Sequence, residues 1–211
     1  MPLRVAVIVE GHGEDAAIRG LLNRIWYEHL NGDGLEVLRP FRIPQGKMLN
    51  EGGLKKAVDA AKIDLDRRPP DDFRKLVIIL IDSEGKLPCQ LAPQLLLWAS
   101  QARSDADIAC VLPHIMFETW FVAAATSLAG QNDLPSDLTT PDKPEENRLG
   151  KGWLKKQLPR KYIETIDQAR FVGRMNLAEC RANSPSFDKL CRELAKRLPA
   201  KSDSAGETTQ K

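Results

Sequence analysis

Apolar residues cluster into runs that polar, glycine- and proline-bearing segments separate along the first part of the chain. Two runs are continuous, as in strands buried on both faces: 3–9 (LRVAVIV) and 75–81 (KLVIILI). A further strand is predicted at 107–113 (DIACVLP). Another strand is predicted at 35–43, where Pro40 indicates an edge or a bulge because proline cannot donate a ladder hydrogen bond.

Apolar residues at helical spacing fill the segments between these strands. They predict helices at about 14–30, 54–66, 89–103 and 117–128. Strands and helices then alternate along the chain. This order predicts an α/β fold, in which a parallel sheet carries helices on both faces.

Beyond about residue 130 the chain becomes polar and then continues in short helical pieces. The predicted pieces are 152–158, 161–166, 177–182 and 186–198. Ser186 is the predicted N-cap of the last one. The chain is thus predicted to consist of an α/β domain at 1–130, a helical extension packed on it at 131–198, and a disordered tail at 199–211.

The composition restricts the class of protein. With 42% hydrophobic residues among 211, the chain can bury an ordinary core, and no apolar run approaches the roughly 20 residues that span a bilayer. The first residues lack the features of a secretory signal, so we expect a cytoplasmic protein. The four cysteines and three histidines are scattered, which argues against a zinc site. The net charge of +2 indicates no particular partner.

Carboxylates follow the ends of separate predicted strands. Glu10 follows the first strand, Asp82 and Glu84 follow the third, Glu118 follows the fourth, and Glu14 begins the first helix. Ligands of an open parallel sheet bind outside the carboxyl ends of its strands, so these side chains are expected to lie together. Asp82 and Glu84 would project in the same direction from an extended backbone.

The repulsion between acids that lie this close together must be offset. Each close pair of carboxylates costs on the order of a few kcal/mol at an effective dielectric near 20, so the group must take up protons or a cation. Oxygen ligands of this kind suit Mg²⁺ or Mn²⁺. The sequence therefore predicts a divalent metal, with phosphate arriving beside it.

Two other interpretations fit the same residues. The stretch GHGEDA (11–16) matches the G-x-G-x-x-A pattern of dinucleotide-binding folds. However, Glu10 and Glu14 would oppose a pyrophosphate at the helix start. The second strand offers Arg39 and Arg42 instead of an acid for a ribose, which leaves only an NADP form. Acids and glycines are also common at strand ends for purely structural reasons.

The acids resemble the pattern of the Toprim fold, which topoisomerases, primases and the overcoming-lysogenization-defect nucleases share. In that fold a glutamate, often followed by glycine, comes after the first strand, and D-x-D follows a later one. Here these positions are Glu10-Gly11 and Asp82-Ser83-Glu84. More specifically, the chain resembles an uncharacterised bacterial Toprim-like group, domain-of-unknown-function family 4276. The segments that carry this resemblance are VEGHGE, DSEG, FETWFVA, KYIETIDQ and RANSPSFDKL.

The resemblance implies a metal-dependent, nuclease-like site that hydrolyses phosphodiesters, in a bacterial defence context. Asp82 and Glu84 would hold Mg²⁺ or Mn²⁺, and Glu10 would be the general base or acid, or a further ligand. Glu118 and Glu14 would orient a second metal or a water. Beside them, Gly11 completes the Glu-Gly pair, and Lys86 is a candidate contact to the scissile phosphate.

A basic segment, KGWLKKQLPRKY, lies at 151–162. Its cations are Lys151, Lys155, Lys156, Arg160 and Lys161. With Trp153 and Tyr162 among them, the segment can track a phosphate backbone and stack on bases, which predicts nucleic acid as a partner. A solvated helical face with Trp153 in the core fits the pattern as well. The alternative class is a non-catalytic module that binds nucleic acid or an ATPase encoded nearby.

Overall fold

Strands and helices alternate through the first half of the protein, whose computed structural model describes residues 1–199. The strands are β1 (Leu3–Val9), β2 (Leu35–Val37), β3 (Phe41–Arg42), β4 (Arg74–Leu80) and β5 (Asp107–Val111). The helices are α1 (His12–Arg24), α2 (Gln45–Met48), α3 (Glu51–Arg67), α4 (Pro88–Ala102), α5 (Thr119–Ala123), α6 (Ala125–Leu128), α7 (Lys151–Gln157), α8 (Glu164–Val172), α9 (Leu177–Asn183) and α10 (Pro185–Ala195). A π-helical turn at Ile25–His29 extends α1. The predicted disordered tail lies outside the described residues, apart from Pro199.

All strand pairs of the sheet are parallel, in the order β2-β1-β4-β5, with β3 also beside β1. The chain leaves β1 toward β2 and β3 on one side, and later returns to place β4 on the other side. The direction of winding therefore reverses between β1 and β4. In open α/β sheets this topological switch point is where ligands bind.

Successive residues of the central strands face two separate cores. Val5, Val7 and Val9 of β1 pack in one core with α1, α5 and the carboxy-terminal helices. Ala6 and Ile8 pack in the other core with α3 and α4. Because side chains alternate along a strand, a strand covered on both faces must be apolar throughout. The prediction of an α/β fold with helices on both faces of a parallel sheet is confirmed.

The predicted strand at 35–43 is divided into β2 and β3. Pro40 lies in the interruption, as expected for a residue without an amide hydrogen. Both parts still pair with β1, and hydrogen bonds continue across the gap: the Leu38 amide donates to the Val5 carbonyl at 2.9 Å and the Ile43 amide to the Val9 carbonyl at 2.9 Å. The edge of the sheet is thus bent but not broken.

Two predicted helices differ from the observed ones. The helix expected at 117–128 is split into α5 and α6 at Ala124, whose φ of −116° and ψ of 22° are not helical. The helix expected at 161–166 begins only at Glu164. There the Asp167 side chain accepts the Ile163 amide at 2.7 Å, which fixes a non-helical entry to α8.

Ser186 is not the N-cap of the last helix, contrary to the prediction. The Ser184 hydroxyl accepts the Phe187 amide at 3.1 Å, and Pro185 occupies the first helical turn. Proline suits the first helical position because its missing amide hydrogen is not needed there, so the cap falls on the residue before it. The division of the chain at residue 130 remains a prediction.

No helix within residues 1–199 combines the length and the apolar character that crossing a bilayer requires.

Candidate functional site

The carboxyl ends of β1 and β4 open onto a cleft of about 630 Å³. Ile8 pairs with Ile79 in the register, so Glu10 and Asp82 leave the sheet from adjacent strands on the two sides of the switch point. The residues that line the cleft are Glu10, Gly11, Glu14, Asp82, Glu84, Ile115, Met116, Arg148, Lys151 and Glu164. The structure thus brings together the acids expected after the first and third predicted strands.

The turn after β4 is held by the segment that comes after β5. Asp82 Oδ1 accepts the Phe117 amide at 2.8 Å. Ser83 is buried, and its hydroxyl accepts the Ile115 amide at 2.7 Å. The Glu84 amide donates to the Ile115 carbonyl at 3.0 Å. These bonds hold Glu84 and Ile115 at φ values of 45° and 72°, a left-handed conformation that residues other than glycine rarely adopt.

The left-handed turn corrects one expectation. Asp82 and Glu84 do not project alike from an extended backbone, because the chain turns at Glu84 (φ 45°). Both side chains nevertheless line the cleft, Asp82 half-buried and Glu84 exposed. The two acids therefore approach the cleft from different directions.

Glu14 folds back over the loop after β1. A Cβ at Gly11 would lie 2.2 Å from Glu14 Oε2, so glycine makes room for this carboxylate. The Oε2 atoms of Glu10 and Glu14 are buried and accept no hydrogen bond from any described residue. Because buried polar atoms are nearly always bonded in folded proteins, these two oxygens are available to a donor or cation from outside the chain.

Burial and mutual repulsion raise the pKa values of three acids in the cleft. Burial, then the charges of Glu84 and Glu14, raises the pKa of Glu10 to about 7. Burial is also the largest cause that raises the pKa of Asp82 well above its usual range, with further contributions from Glu14, Glu118 and Glu10. The pKa of Glu14 is raised as well, chiefly by burial. Without a cation, these acids tend to retain protons.

Two basic residues, Arg148 and Lys151, also line the cleft. Lys151 Nζ lies 2.6 Å from a Glu164 carboxylate oxygen and 3.9 Å from Glu118 Oε1. Burial would lower the pKa of Lys151, but the hydrogen bond to Glu164 and the charges of Glu118, Glu164 and Asp82 outweigh it and raise that pKa. The positive charge of Lys151 is therefore paired with the acids around it.

Glu118 lies behind the cleft and not on its wall. Its side chain is 2% exposed, and Oε1 accepts the Tyr162 hydroxyl at 3.2 Å and Gln168 Nε2 at 3.3 Å. Its charge still contributes to the raised pKa of Asp82. Its role as a metal ligand remains a prediction.

Lys86 is exposed on the turn that carries the acids, but it is not among the residues that line the cleft. A phosphate contact is predicted for Lys86 because it follows Asp82 and Glu84 closely in sequence, but the turn does not bring it to the cleft wall. Its predicted role remains untested.

The predicted basic surface divides into paired and unpaired cations. Arg160 forms ion pairs of 2.9 Å with Asp133 and 2.7 Å with the buried Asp167, so it is part of the fold. Lys155, Lys156 and Lys161 are exposed and form no ion pair with the described residues. These three lysines remain candidates for nucleic-acid contact.

The two aromatic residues of the basic segment do not present free faces. Tyr162 is 5% exposed and its hydroxyl donates to Glu118. Trp153 is partly buried and packs against the core, as the alternative interpretation expected. Base stacking by Tyr162 is therefore excluded by its position.

In chemical terms, the cleft fits a hard divalent cation. It offers carboxylate oxygens of Glu10 and Glu14 that lack partners among the described residues, and the pKa values of both groups are raised. However, within residues 1–199 no three Asp, Glu, His or Cys side chains are arranged so that they could hold a metal ion directly. A cation bound here would require these carboxylates to turn toward it.

Sequence reasoning missed Arg148, Glu164 and Gln168. Glu164 and Gln168 are four residues apart on α8, which packs on α1, so a helical-face argument could have indicated that both point at the same neighbour. Gln168 Oε1 is a further buried oxygen without a described partner. Arg148 lies in an irregular segment that has no periodicity to place it.

A second, larger cavity of about 870 Å³ lies between α4, α10 and residues 142–146. Glu145 lines it, and its Oε1 accepts the hydroxyls of Ser184 and, at 2.6 Å, Ser186. The Trp120 indole donates to the Ser186 hydroxyl at 2.8 Å. None of the predicted site residues lines this cavity within the described part of the chain.

Comparison with known proteins gives a family. No match was found among curated proteins or among solved structures. A family model described as a domain of unknown function (DUF4276) matches residues 9–195, which include the cleft residues on both sides of the switch point. The resemblance to domain-of-unknown-function family 4276 is confirmed, and the chain belongs to the DUF4276 family.

Proposed function

We propose that the protein is a divalent-metal-dependent hydrolase of phosphodiesters, a nuclease-like member of the Toprim type. One observation carries the proposal: Glu10, Glu14, Asp82 and Glu84 crowd at the switch point between β1 and β4, and burial and repulsion raise the pKa values of three of them. Such a cluster can bind the metal ion that an enzyme needs in order to act on a phosphate substrate.

Each acid of the cleft would have its own role. Asp82 and Glu84 would hold the cation, and the Phe117 amide bonded to Asp82 would fix the orientation of that carboxylate. When bound, the cation would neutralise phosphate charge and make water a better nucleophile. Glu10, whose pKa of about 7 suits proton transfer near neutral pH, would take the proton of the attacking water or protonate the leaving oxygen.

The test is cleavage of single- and double-stranded DNA and RNA with Mg²⁺ or Mn²⁺, compared with EDTA. We expect wild-type cleavage only with metal, and losses of about 10²- to 10⁴-fold in Glu10→Gln and Asp82→Asn. Both variants keep the shape of the side chain and remove charge from a repulsive cluster, so they are expected to fold.

Asp72→Asn is the matched control, because Asp72 is an exposed acid just before the amino end of β4, whereas the cleft lies at the carboxyl end of that strand. Its activity is expected to equal that of the wild type. Wild-type cleavage by a variant that combines Glu10→Gln with Asp82→Asn would refute the proposed function.

A non-catalytic module that binds nucleic acid or an ATPase is the second candidate. It is favoured by Lys155, Lys156 and Lys161, which are exposed and without an ion-pair partner among residues 1–199. Nucleic-acid binding that needs these lysines, together with no cleavage under any metal condition, would support this candidate. An NADP site is less well supported, because Glu14 covers Gly11, where a pyrophosphate would approach.

A further inference from the structure

Arg148 reaches the cleft from the irregular segment between α6 and α7. Its side chain is exposed and lines the cleft, yet it makes no hydrogen bond or ion pair with any described side chain. Lys151, the other cation of the cleft, is bound to Glu164 at 2.6 Å. Within the described cleft, Arg148 is thus the cation whose donors are not already used.

The backbone holds Arg148 against the turn that carries the acids. Its own φ is 55°, and Gly85, with a φ of 85°, lies directly after Glu84. A Cβ at Gly85 would come within 2.3 Å of Arg148 Nη2, so the guanidinium rests against the bare backbone of this turn. Left-handed residues outside glycine are costly and concentrate at functional sites.

We propose that Arg148 binds the non-bridging oxygens of a substrate phosphodiester, beside the acids that would hold the cation. The inference rests on the proposed function and names its phosphate contact. A planar guanidinium offers two parallel N–H donors that match phosphate oxygens, which a lysine ammonium does not. Arg148 would take the role that the sequence suggested for Lys86, which does not line the cleft.

This geometry also explains why a cation would sit among acids without pairing to them. A guanidinium that formed an ion pair with Glu84 would neutralise a ligand of the metal, and one that paired with Glu10 would hold the group that transfers protons in its charged form. The guanidinium lies against Gly85, and Arg148 lines the cleft without an ion-pair partner among the described residues, so its donors are free for an anion that enters there. The cation held by the acids and the guanidinium of Arg148 would then both neutralise charge on one phosphate, which stabilises the transition state of phosphoryl transfer.

Binding is measured first, without relying on turnover. The probe is a fluorescein-labelled single-stranded DNA oligonucleotide, with Ca²⁺ in place of Mg²⁺ and the intact probe verified on a gel, and Kd is read from anisotropy. We expect Arg148→Ala to weaken Kd by about 10-fold and Arg148→Lys by less, because a lysine keeps the charge but not the paired donors. Arg67→Ala is the control, because Arg67 is exposed at the end of α3 and forms no ion pair with the described residues.

Cleavage kinetics provide the second readout. On whichever strand the wild type cuts with Mg²⁺ or Mn²⁺, we expect Arg148→Ala to lower kcat/KM by about 10²- to 10³-fold. The rise in Tm that Mn²⁺ produces is expected to be unchanged in Arg148→Ala, which separates a phosphate contact from a metal ligand or a folding defect.

Three binding results would overturn the inference: equal Kd values for the wild type and Arg148→Ala, no probe binding by the wild type, or a weakened Kd in Lys86→Ala that Arg148→Ala does not show. The two proposals fail separately. Arg148-dependent binding without cleavage under any metal condition refutes the hydrolase and leaves the phosphate contact standing. Metal-dependent cleavage that Arg148→Ala retains in full refutes the contact and leaves the hydrolase standing.

Discussion

The pKa of Glu10 links the acids of the cleft to the stability of the fold. Its folded value of about 7 lies above its ordinary value of 4.5, so the charged form is disfavoured in the folded state. Glu10 does not destabilise the fold while it is protonated in both the folded and the unfolded state. Its destabilising effect grows as the pH rises from about 4.5 and is complete above about 7, where both states carry the charge.

Replacing Glu10 by a neutral isostere should remove this cost. We expect Glu10→Gln to raise the free energy of unfolding above that of the wild type by about 1 to 3 kcal/mol at pH 8, and by almost nothing at pH 4. Urea unfolding across this pH range measures the difference. A difference between the two proteins that stays constant with pH would contradict the raised pKa.

Metal should reduce the difference in stability between the wild type and Glu10→Gln. A cation that binds the cleft removes the repulsion in the wild type, so Mg²⁺ or Mn²⁺ at pH 8 is expected to raise the Tm of the wild type more than that of Glu10→Gln. The Asp72→Asn protein, which keeps every acid of the cleft, serves as the control and should respond like the wild type. An equal response of Glu10→Gln would show that the ion binds elsewhere.

At the residue scale, side chains at the ends of strands could be predicted from the sequence, and side chains that loops deliver could not. Glu10 and Asp82 could be placed because buried apolar runs end immediately before them and parallel strands share one edge. Arg148 could not be placed, since nothing in an irregular segment tells which residue will meet Gly85. Glu118 also comes after a strand, but its burial depends on Tyr162 and Gln168, which are far away in sequence.

At the element scale, the contact between α1 and α8 depends on a glycine. A Cβ at Gly13 would lie 2.5 Å from Gln168 Cδ, and Gln168 is 1% exposed with its amide donating to Glu118. A shift of the glutamine would have to take place inside the core and would disturb its bond to Glu118. Gly13 is therefore needed for close packing of the two helices, and not for a left-handed conformation.

We expect Gly13→Ala to destabilise the protein by about 1 to 3 kcal/mol, because overpacking forces buried side chains to shift. Gly152→Ala is the matched control: Gly152 is likewise the second residue of its helix, and a Cβ there would meet nothing within 4 Å. It should stabilise the protein by up to about 1 kcal/mol, because alanine has the higher helix propensity. Thermal unfolding of both variants provides the comparison, and equal effects would argue against the tight contact.

The residues at which helices begin could be predicted less well than the presence of the helices. The pattern predicts α10, but the predicted cap, Ser186, differs from the observed one, Ser184, which Pro185 indicates because proline favours the position after a cap. The late start of α8 could not be predicted, because it depends on Asp167, which Arg160 and the Ile163 amide hold from outside the helix. The start of α10 thus follows a local signal, whereas the start of α8 follows from the hydrogen bonds of Asp167.

At the scale of the whole molecule, exposed lysines extend the positive charge beyond the cleft. Lys151 lies in the cleft, Lys155 and Lys156 come after it on α7, and Lys161 lies just beyond the helix. A strand whose phosphate entered the cleft could place its neighbouring phosphates near these lysines. Each such contact releases counterions and makes binding depend on salt.

We therefore expect the affinity of the wild type for nucleic acid to fall steeply with salt. Replacing Lys155 and Lys156 together by alanine should reduce the slope of log K against log salt by roughly 1 to 2. Titrations at several salt concentrations measure the slope. The matched control replaces Lys56 and Arg67, two exposed cations of α3 that form no ion pair with the described residues. An unchanged slope in the α7 variant would remove this surface from the binding site.

The acids and the cations of the cleft come from distant parts of the chain. Glu10 and Asp82 belong to the two central strands, whereas Arg148 and Lys151 come from beyond residue 130. A fragment that ended there would keep the repulsion and lose the positive charge that moderates it. Recombination between relatives at that boundary would therefore separate the acids of the two strands from the cations that partly offset them, and the two parts of the gene are expected to change together over evolutionary time.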